Sequence, residues 1–241
     1  MDPSTYGERI ADVYDDWYGD ATDVEGTVAT VARYGTSVLE LGIGTGRLAI
    51  PLADAGLAVT GIDASPAMVD RLRAKDGDRI PVVVADFATV PVEGPFDVVL
   101  LAFNALLVLT EEADQVACLR RCAEVGRRVL VETFVPGDAA PSQGVDVRHV
   151  DADSVHLSAF KVVDGVVHGS IVSITEAGIR LRPWRVRLAT PAALDAVAAD
   201  AGLTVEARWS GWREERYVEG ESDRCVTVYR PSSQYRQETC R

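Results

Sequence analysis

The chain has 241 residues, 47% of them hydrophobic, with 24 lysines and arginines against 37 aspartates and glutamates and a formal net charge of −13. That length suffices for one α/β domain, or one domain with a small insertion, and so much apolar content excludes intrinsic disorder. The acidity argues against nucleic acid, whose phosphates need a basic surface, and leaves a small molecule as the expected partner.

No apolar stretch approaches the roughly 20 residues that span a bilayer, so no membrane association is expected. The start Met1-Asp-Pro-Ser-Thr lacks the basic-then-apolar pattern of a leader, which makes a cytoplasmic chain the expectation. Tyr6 to Tyr18 reads as one amphipathic helix, with Ile10, Val13, Tyr14 and Trp17 at helical spacing, and Val24 to Tyr34 as a second. Strand and helix then alternate: Ser37–Leu41, Arg47–Ala55, Ala58–Ile62 and Pro66–Lys75, the last opened by Ser65-Pro66. Further strands are expected at Pro81–Ala85, Phe96–Leu101 and Arg128–Phe134, with a helix near Glu111–Glu124. This alternation of apolar strands with helices predicts an α/β fold whose mainly parallel sheet is covered by helices on both faces.

The pattern changes after Pro136. Gly137 to Gly144 reads as a linker or lid, and strands are expected at Val147–Val150, His156–Val163, Val166–Thr175 and Arg180–Leu188. Asp164-Gly165 between two valine-rich runs is the strongest hairpin signal in the chain. Thr190-Pro191 opens a helix to Ala201, stopped by Gly202, and strands at Thr204–Trp209 and Arg224–Arg230 end the pattern. Cys118, Cys122, Cys225 and Cys240 lack metal-binding spacing and read as free thiols, two of them facing the core; no metal is expected.

The most informative run is Val38-Leu-Glu-Leu-Gly-Ile-Gly-Thr-Gly-Arg47 with Asp63 ending the next strand. Gly42, Gly44 and Gly46 allow a tight turn and the approach of a ligand to main-chain N–H groups, and a carboxylate at Asp63 can accept both hydroxyls of a ribose. A dinucleotide fingerprint needs a small residue at position 47, where this chain has arginine, and Glu40 puts negative charge beside the turn. A ribose with a zwitterionic amino-acid tail suits that chemistry better than a diphosphate.

Glu40-x-Gly42-x-Gly44-x-Gly46, with Gly61-Ile-Asp63-Ala-Ser, resembles the first motif and acidic residue of the class I S-adenosylmethionine-dependent methyltransferases. Val84-Ala-Asp86-Phe87 resembles that family's adenine motif, and Phe96-Asp97-Val-Val-Leu-Leu-Ala102-Phe103-Asn104 its fourth strand and active-site turn. Tyr14-Asp-Asp-Trp-Tyr18 resembles the N-terminal helix of the small-molecule branch, including amino-sugar N-methyltransferases. The resemblance covers about residues 6 to 135 and implies a Rossmann-like seven-stranded sheet, with an antiparallel β insertion near 145–188 that covers the acceptor pocket or pairs with a second subunit as a homodimer. It divides the chain into an N-terminal helical lid (1–35), a cofactor-binding core (36–136), the insertion (137–189), the C-terminal part of the core (190–230) and a tail (231–241).

The cofactor so implied is S-adenosylmethionine, with S-adenosylhomocysteine as product. Its expected contacts are Tyr14, Glu40, Gly42, Gly44, Gly46, Arg47, Asp63, Ala64, Met68, Asp86, Phe87 and Ala102. Tyr14 would hold the cofactor's carboxylate, Asp86 the adenine amine, and Phe87 the adenine ring. Tyr18 would orient the acceptor and stands with Asn104 as a catalytic candidate, although Asn104 reads equally as a turn residue. Trp17, Phe103, His156, Trp184 and Trp212 are the expected acceptor contacts. Glu132 and the insertion histidines His149, His156 and His168 are alternative bases, while Trp209 reads as core. Methyl transfer to nitrogen stands slightly ahead of oxygen. A nicotinamide-dependent oxidoreductase and a non-methylating S-adenosylmethionine protein such as a cyclase remain alternatives.

Overall fold

The computed structural model of the chain describes residues 2–19, 21–76, 79–137 and 141–232. Most of the expected tail (231–241), with Cys240, and residues 138–140 of the expected linker lie outside the described residues. Two short helices, α1 (Thr5–Ile10) and α2 (Tyr14–Tyr18), lead to α3 (Val24–Tyr34), then β1 (Ser37–Leu41), α4 (Ala49–Asp54), β2 (Ala58–Asp63) and α5 (Pro66–Asp76). β3 (Val82–Val84), β4 (Phe96–Leu101), α6 (Glu112–Val125) and β5 (Gly126–Phe134) follow. Four strands come next, β6 (Gln143–Val150), β7 (Ser154–Val163), β8 (Val166–Thr175) and β9 (Gly178–Arg187); α7 (Pro191–Asp200), β10 (Leu203–Trp209) and β11 (Arg224–Pro231) end the described chain.

Local chemistry sets several of these boundaries. Asp23 caps α3 by accepting the Gly26 N–H at 2.9 Å, and Thr190 caps α7, with Pro191 at its first position. The N-terminal segment departs from expectation: the single helix from Tyr6 to Tyr18 is broken into α1 and α2. Asp12, in the break, is held by Arg180 at 2.5 Å and Arg182 at 3.4 Å, both from β9. A contact across about 170 positions leaves no trace in local periodicity, so the break could not be read from the pattern.

The first sheet has the order β10-β11-β5-β4-β1-β2-β3. Its strands run parallel except β11, which is antiparallel to both β5 and β10. Period-two alternation feeds both faces. Val38, Val98, Leu100, Leu130, Val226 and Val228 are buried in one cluster with Val31 of α3 and Leu52 of α4. Leu39, Leu41, Val99, Leu101, Val129 and Val131 join the cluster of Leu119 from α6 and Leu194 from α7. Strand order reverses at β1, so the ligand crevice of such a sheet falls at the C-terminal ends of β1, β2 and β4.

The insertion forms its own antiparallel sheet, β6-β7-β8-β9, rather than extending the first. Asp164 and Gly165 both have left-handed φ angles, 50° and 75°, as the tight turn of a two-residue hairpin requires. Ile171 and Arg182 mark the face turned to α1 and α2, whereas Val145, Val147, Ile179 and Leu181 are exposed. No helix among the described residues is long and apolar enough to cross a membrane.

Candidate active site

After β1 the chain turns sharply through Gly42, Gly44 and Gly46, with φ angles of 74°, 56° and 80°. The Gly42 and Ile43 N–H groups donate to the Ile62 carbonyl, which ties the turn to the end of β2. The glycines do different work. A Cβ on Gly46 would lie 2.9 Å from Leu72, so that residue seats α5 against the turn. Cβ atoms on Gly42 and Gly44 would meet nothing closer than 3.6 Å; these two leave the main chain approachable and need glycine for conformation.

Asp63 closes the turn. One carboxylate oxygen accepts the Gly44 N–H at 2.8 Å and the other the Ser65 N–H at 2.8 Å. Burial pushes this carboxyl above its ordinary range, against the pull of the Ser65, Gly44 and Ala64 N–H groups. Each oxygen keeps a second lone pair, enough to accept two hydroxyls.

Glu40 shares the strand face of Val38 and is 4% exposed, its Oε2 without a hydrogen-bond partner. Desolvation pushes its pKa up to about 8, with Arg47 opposing the rise and Asp63 adding to it. Arg47 donates to the Thr22 hydroxyl and, at 3.4 Å, to the Tyr18 carbonyl, and its guanidinium lies 4.4 Å from the Phe103 ring centroid. Its Nε is buried and unpaired. A buried acceptor and a buried donor thus stand unsatisfied beside the same glycine turn. An ammonium for Glu40 and a carboxylate for Arg47 fit this donor set, whereas a diphosphate leaves Glu40 unpaired and repelled.

α1 and α2 are tied to this turn and to α5. Glu8 accepts the Ser65 hydroxyl at 2.8 Å and the Ala67 N–H at 3.0 Å, and Gly7 lies so close to Ser65 that a Cβ there would be 2.4 Å from it. Thr45 of the turn donates to Asp15 at 2.5 Å, and Lys75 pairs with the same carboxylate at 2.9 Å. Tyr14 and Tyr18 pack with their rings tilted, 5.1 Å between centroids, and Tyr18 meets Phe103 edge-on at 5.6 Å. Burial raises the Tyr14 phenol above its ordinary pKa and, with Tyr18 and Tyr14 nearby, raises Tyr6 well above it.

At the end of β4, Phe103 and Asn104 both have left-handed φ, 50° and 68°, a strained pair for residues other than glycine. Asn104 Oδ1 accepts the Phe134 N–H at 2.6 Å and its own N–H donates to the Glu132 carbonyl; Glu132 Oε2 accepts the Phe103 N–H at 2.8 Å. Asn104 and Glu132, expected as catalytic candidates, are therefore committed through these atoms to holding Phe103 in place. Glu132 is 3% exposed and also faces Arg224. On the far side of the turn Asp86 accepts the Ala88 N–H at 2.9 Å, and the Phe87 ring edge lies 3.7 Å from where a Gly42 Cβ would stand.

From the second sheet, His156 lies 5.0 Å from the Trp17 ring and 2.9 Å, through Nδ1, from the Ser173 hydroxyl. Burial, followed by the charges of His149 and Arg182, lowers its pKa. Arg182, 4% exposed, donates to the Arg9 carbonyl at 3.0 Å and to Ser173 at 2.7 Å, and stacks 4.9 Å from the Trp17 centroid. These residues, with Val13 and the β8–β9 turn, wall a cavity of about 490 Å³.

Two expected site residues are covered by the chain itself. Trp212 is 1% exposed within the cluster between the first sheet, α3 and α4, its carbonyl accepting the Thr30 hydroxyl; it packs core and reaches no cleft. Met68 is buried beneath α1 with Ile10, its N–H donating to the Ser65 hydroxyl at 3.2 Å beside Asp63. Ala102 is buried at the end of β4 and Trp209 packs against the same cluster as Trp212. Sequence reasoning overlooked Arg182, Asp12 and Ser173, whose only signal was two arginines, Arg180 and Arg182, on the strand face that also carries Trp184 and Val186. Among the described residues no group of three or more His, Cys, Asp or Glu could hold a metal, and Cys118, Cys122 and Cys225 are free and buried.

Residues 38–128 match the family described as methyltransferase domain. The CcbJ methyltransferase from Streptomyces caelestis is 35% identical and superposes with a TM-score of 0.88, over 97% of this chain and 100% of that one. The cypemycin N-terminal methyltransferase of Streptomyces is 35% identical over 127 residues, 51% of this chain and 52% of that protein. The chain spans about half the length of the curated relatives it matches. CalS10, an amino pentose methyltransferase from Micromonospora echinaspora solved with bound S-adenosylmethionine, shares the fold at 21% identity, with a TM-score of 0.70 over 90% of this chain and 96% of that one.

Proposed function

Because this chain belongs to the class I S-adenosylmethionine-dependent methyltransferases, we propose that it moves the cofactor's methyl group to a nitrogen of a small natural-product acceptor. The observation that carries the cofactor assignment is the unpaired Glu40 Oε2 and Arg47 Nε flanking the glycine turn. Glu40 would take the ammonium and Arg47, with Tyr14, the carboxylate; Asp63 would accept the ribose hydroxyls, and Asp86 and Phe87 the adenine. When bound, S-adenosylmethionine supplies an electrophilic methyl on its sulfonium.

The protein's own part is to orient the acceptor and exclude water. Orientation of this kind accounts for up to roughly 7–11 kcal/mol of a barrier in favourable cases. Tyr18 and Phe103 would hold the acceptor against the methyl from two sides, and α1 and α2 would cover the site. Nitrogen is favoured over oxygen because Glu132 is buried in the support of the β4 turn and Asn104 cannot act as a base. An amine that arrives neutral needs no proton removed before it attacks. The name of one relative, the cypemycin N-terminal methyltransferase, points the same way.

The test is methyl transfer from isotope-labelled S-adenosylmethionine to a panel of amines and their hydroxyl analogues, followed by mass spectrometry. Label on nitrogen is expected. Label on oxygen alone overturns the nitrogen reading, and tight binding of NADH with none of S-adenosylhomocysteine overturns the whole. A second copy of the chain is the partner proposed for the outer face of the second sheet, where Val145, Val147, Ile179 and Leu181 are 65%, 66%, 71% and 52% exposed. Four strands of this length offer on the order of 600 Å² per copy, enough for an interface at the lower end of the stable range. Sedimentation equilibrium should give a dimer that Val147→Glu converts to monomer; a wild-type monomer refutes it.

A further inference from the structure

We propose that Trp184, held flat on its sheet by Gly169, is the floor on which the acceptor stacks, so that the acceptor presents an apolar ring face beside the atom to be methylated. This rests on the methyltransferase reading above and narrows its acceptor class.

Register puts Gly144, Phe160, Gly169 and Trp184 directly opposite one another, in one row across β6, β7, β8 and β9. Side chains two residues apart share a face, so this row looks the same way as Ile171 and Arg182, toward α1 and α2. Glycine and aromatic residues alternate along it. A Cβ on Gly169 would lie 2.1 Å from Trp184 Cε2, 2.2 Å from Cζ2 and 2.7 Å from Nε1, so the indole lies on the bare backbone of the neighbouring strand. A Cβ on Gly144 would likewise meet the Phe160 ring at 2.9 Å.

Neither glycine has a positive φ, so the backbone does not demand one there. Glycine inside a strand weakens it, and what it contributes here is room for a ring pressed against the sheet. With one face on Gly169, the indole's other face is turned away from the sheet. Trp184 packs at the edge of the cluster that contains Tyr14, Trp17 and Tyr18. Two positions on, Val186 packs against the cluster that includes Leu106 and Leu107, and β9 lies against the 105–108 turn that follows Phe103–Asn104. The flat indole therefore lies between the tyrosine pair and the turn at the end of β4, where the acceptor must come. The flanking rows cannot substitute: one is Val162, Val167 and Val186, the other Ser158, Ile171 and Arg182.

An indole face attracts the apolar face of a sugar or an aryl ring and offers a flexible chain much less. The experiment uses the protein saturated with S-adenosylhomocysteine and compares cyclohexylamine, benzylamine and glucosamine with n-hexylamine by saturation-transfer NMR titration. Wild type should prefer a ring amine over n-hexylamine at least fivefold, the stronger of benzylamine and glucosamine separating aryl from sugar. That ratio should fall to about one in Trp184→Leu, which keeps an apolar side chain without a ring, and in Gly169→Ala, which displaces the indole without removing it. Trp184→Phe should keep most of it, with S-adenosylhomocysteine affinity within twofold in all three variants. No ring preference in wild type, or a preference that survives Trp184→Leu, overturns the proposal. Wild type that ignores S-adenosylhomocysteine but keeps a Trp184-dependent preference sinks the methyltransferase reading and leaves the stacking floor standing.

Discussion

The C-terminal edge of the first sheet and the inner face of the second are built on opposite plans. At the first, the glycine turn and its acid come from two short stretches, Glu40–Arg47 and Asp63–Ser65, tied together by backbone N–H groups, Gly44 and Ser65 donating to Asp63 and Gly42 and Ile43 to the Ile62 carbonyl. At the second, Arg182, Ser173, His156, Trp17 and Asp12 come from four separate elements and a turn, and meet only because β7, β8 and β9 pair in one register. A site whose shape is fixed by backbone bonds tolerates change around it and keeps one ligand; a site assembled from side chains on a sheet can be altered one residue at a time. That difference suits a fixed cofactor and a variable acceptor.

The comparison can be broken by variants that should strike one region and spare the other. Asp63→Ala should have the largest effect, weakening S-adenosylmethionine binding by well over tenfold in calorimetry, because it removes the ribose acceptor and frees the Gly44 N–H together. Wild-type affinity in that variant contradicts the assignment. Arg182→Met should do the reverse, lowering acceptor kcat/KM by about tenfold while S-adenosylhomocysteine affinity changes less than threefold. It should also lower Tm by several degrees, since a buried arginine loses its ties to Arg9, Asp12 and Ser173 at a cost of about 2 kcal/mol. Equal damage to both ligands would show the two regions to be one cooperative unit.

A pH experiment sharpens the cofactor side. Glu40 has its pKa raised to about 8, so the ligand-free protein holds a proton there at neutral pH. Because the folded form binds that proton more tightly than the unfolded chain, Glu40's contribution to stability is full at low pH and is lost as pH rises through about 8. Binding an ammonium requires the ionised carboxylate and expels the proton, so affinity should rise with pH up to about 8. Above that the ligand's own α-ammonium, with a pKa of about 7.7–8.0, is lost and affinity should fall. Calorimetry in buffers of different ionisation heat should show close to one proton released at pH 6.5, and Glu40→Gln should abolish both release and the rising limb. A flat profile in wild type removes Glu40 from the ammonium site. The smallest effect is expected from Tyr18→Phe, a several-fold drop in turnover with cofactor affinity unchanged; the opposite pattern would make Tyr18 a cofactor or packing residue.

Much of the first region was legible in the chain. The glycine turn, Asp63 and the strand–helix alternation follow from spacing, because a turn of three glycines between a buried strand and a helix has few conformations open to it. Asn104 shows the limit. Its position at the end of β4 was clear, but whether its amide would meet a ligand or the chain depended on Phe134, thirty residues away. Trp212 reads as an acceptor contact, yet it packs in the core with residues of α3 and β11. The broken N-terminal helix was equally hidden, since Asp12 finds Arg180 and Arg182 only when the second sheet has formed.

The sequence by itself determined the parallel sheet, the phosphate-averse glycine turn and the acid that ends the second strand, because each is specified by neighbours within one or two turns of chain. The tertiary structure alone decided which aromatic side chains face the acceptor and which are core, and what holds α1 and α2 in place. Those outcomes depend on strand register and on ion pairs between distant segments, which fold-wide packing fixes and local pattern does not.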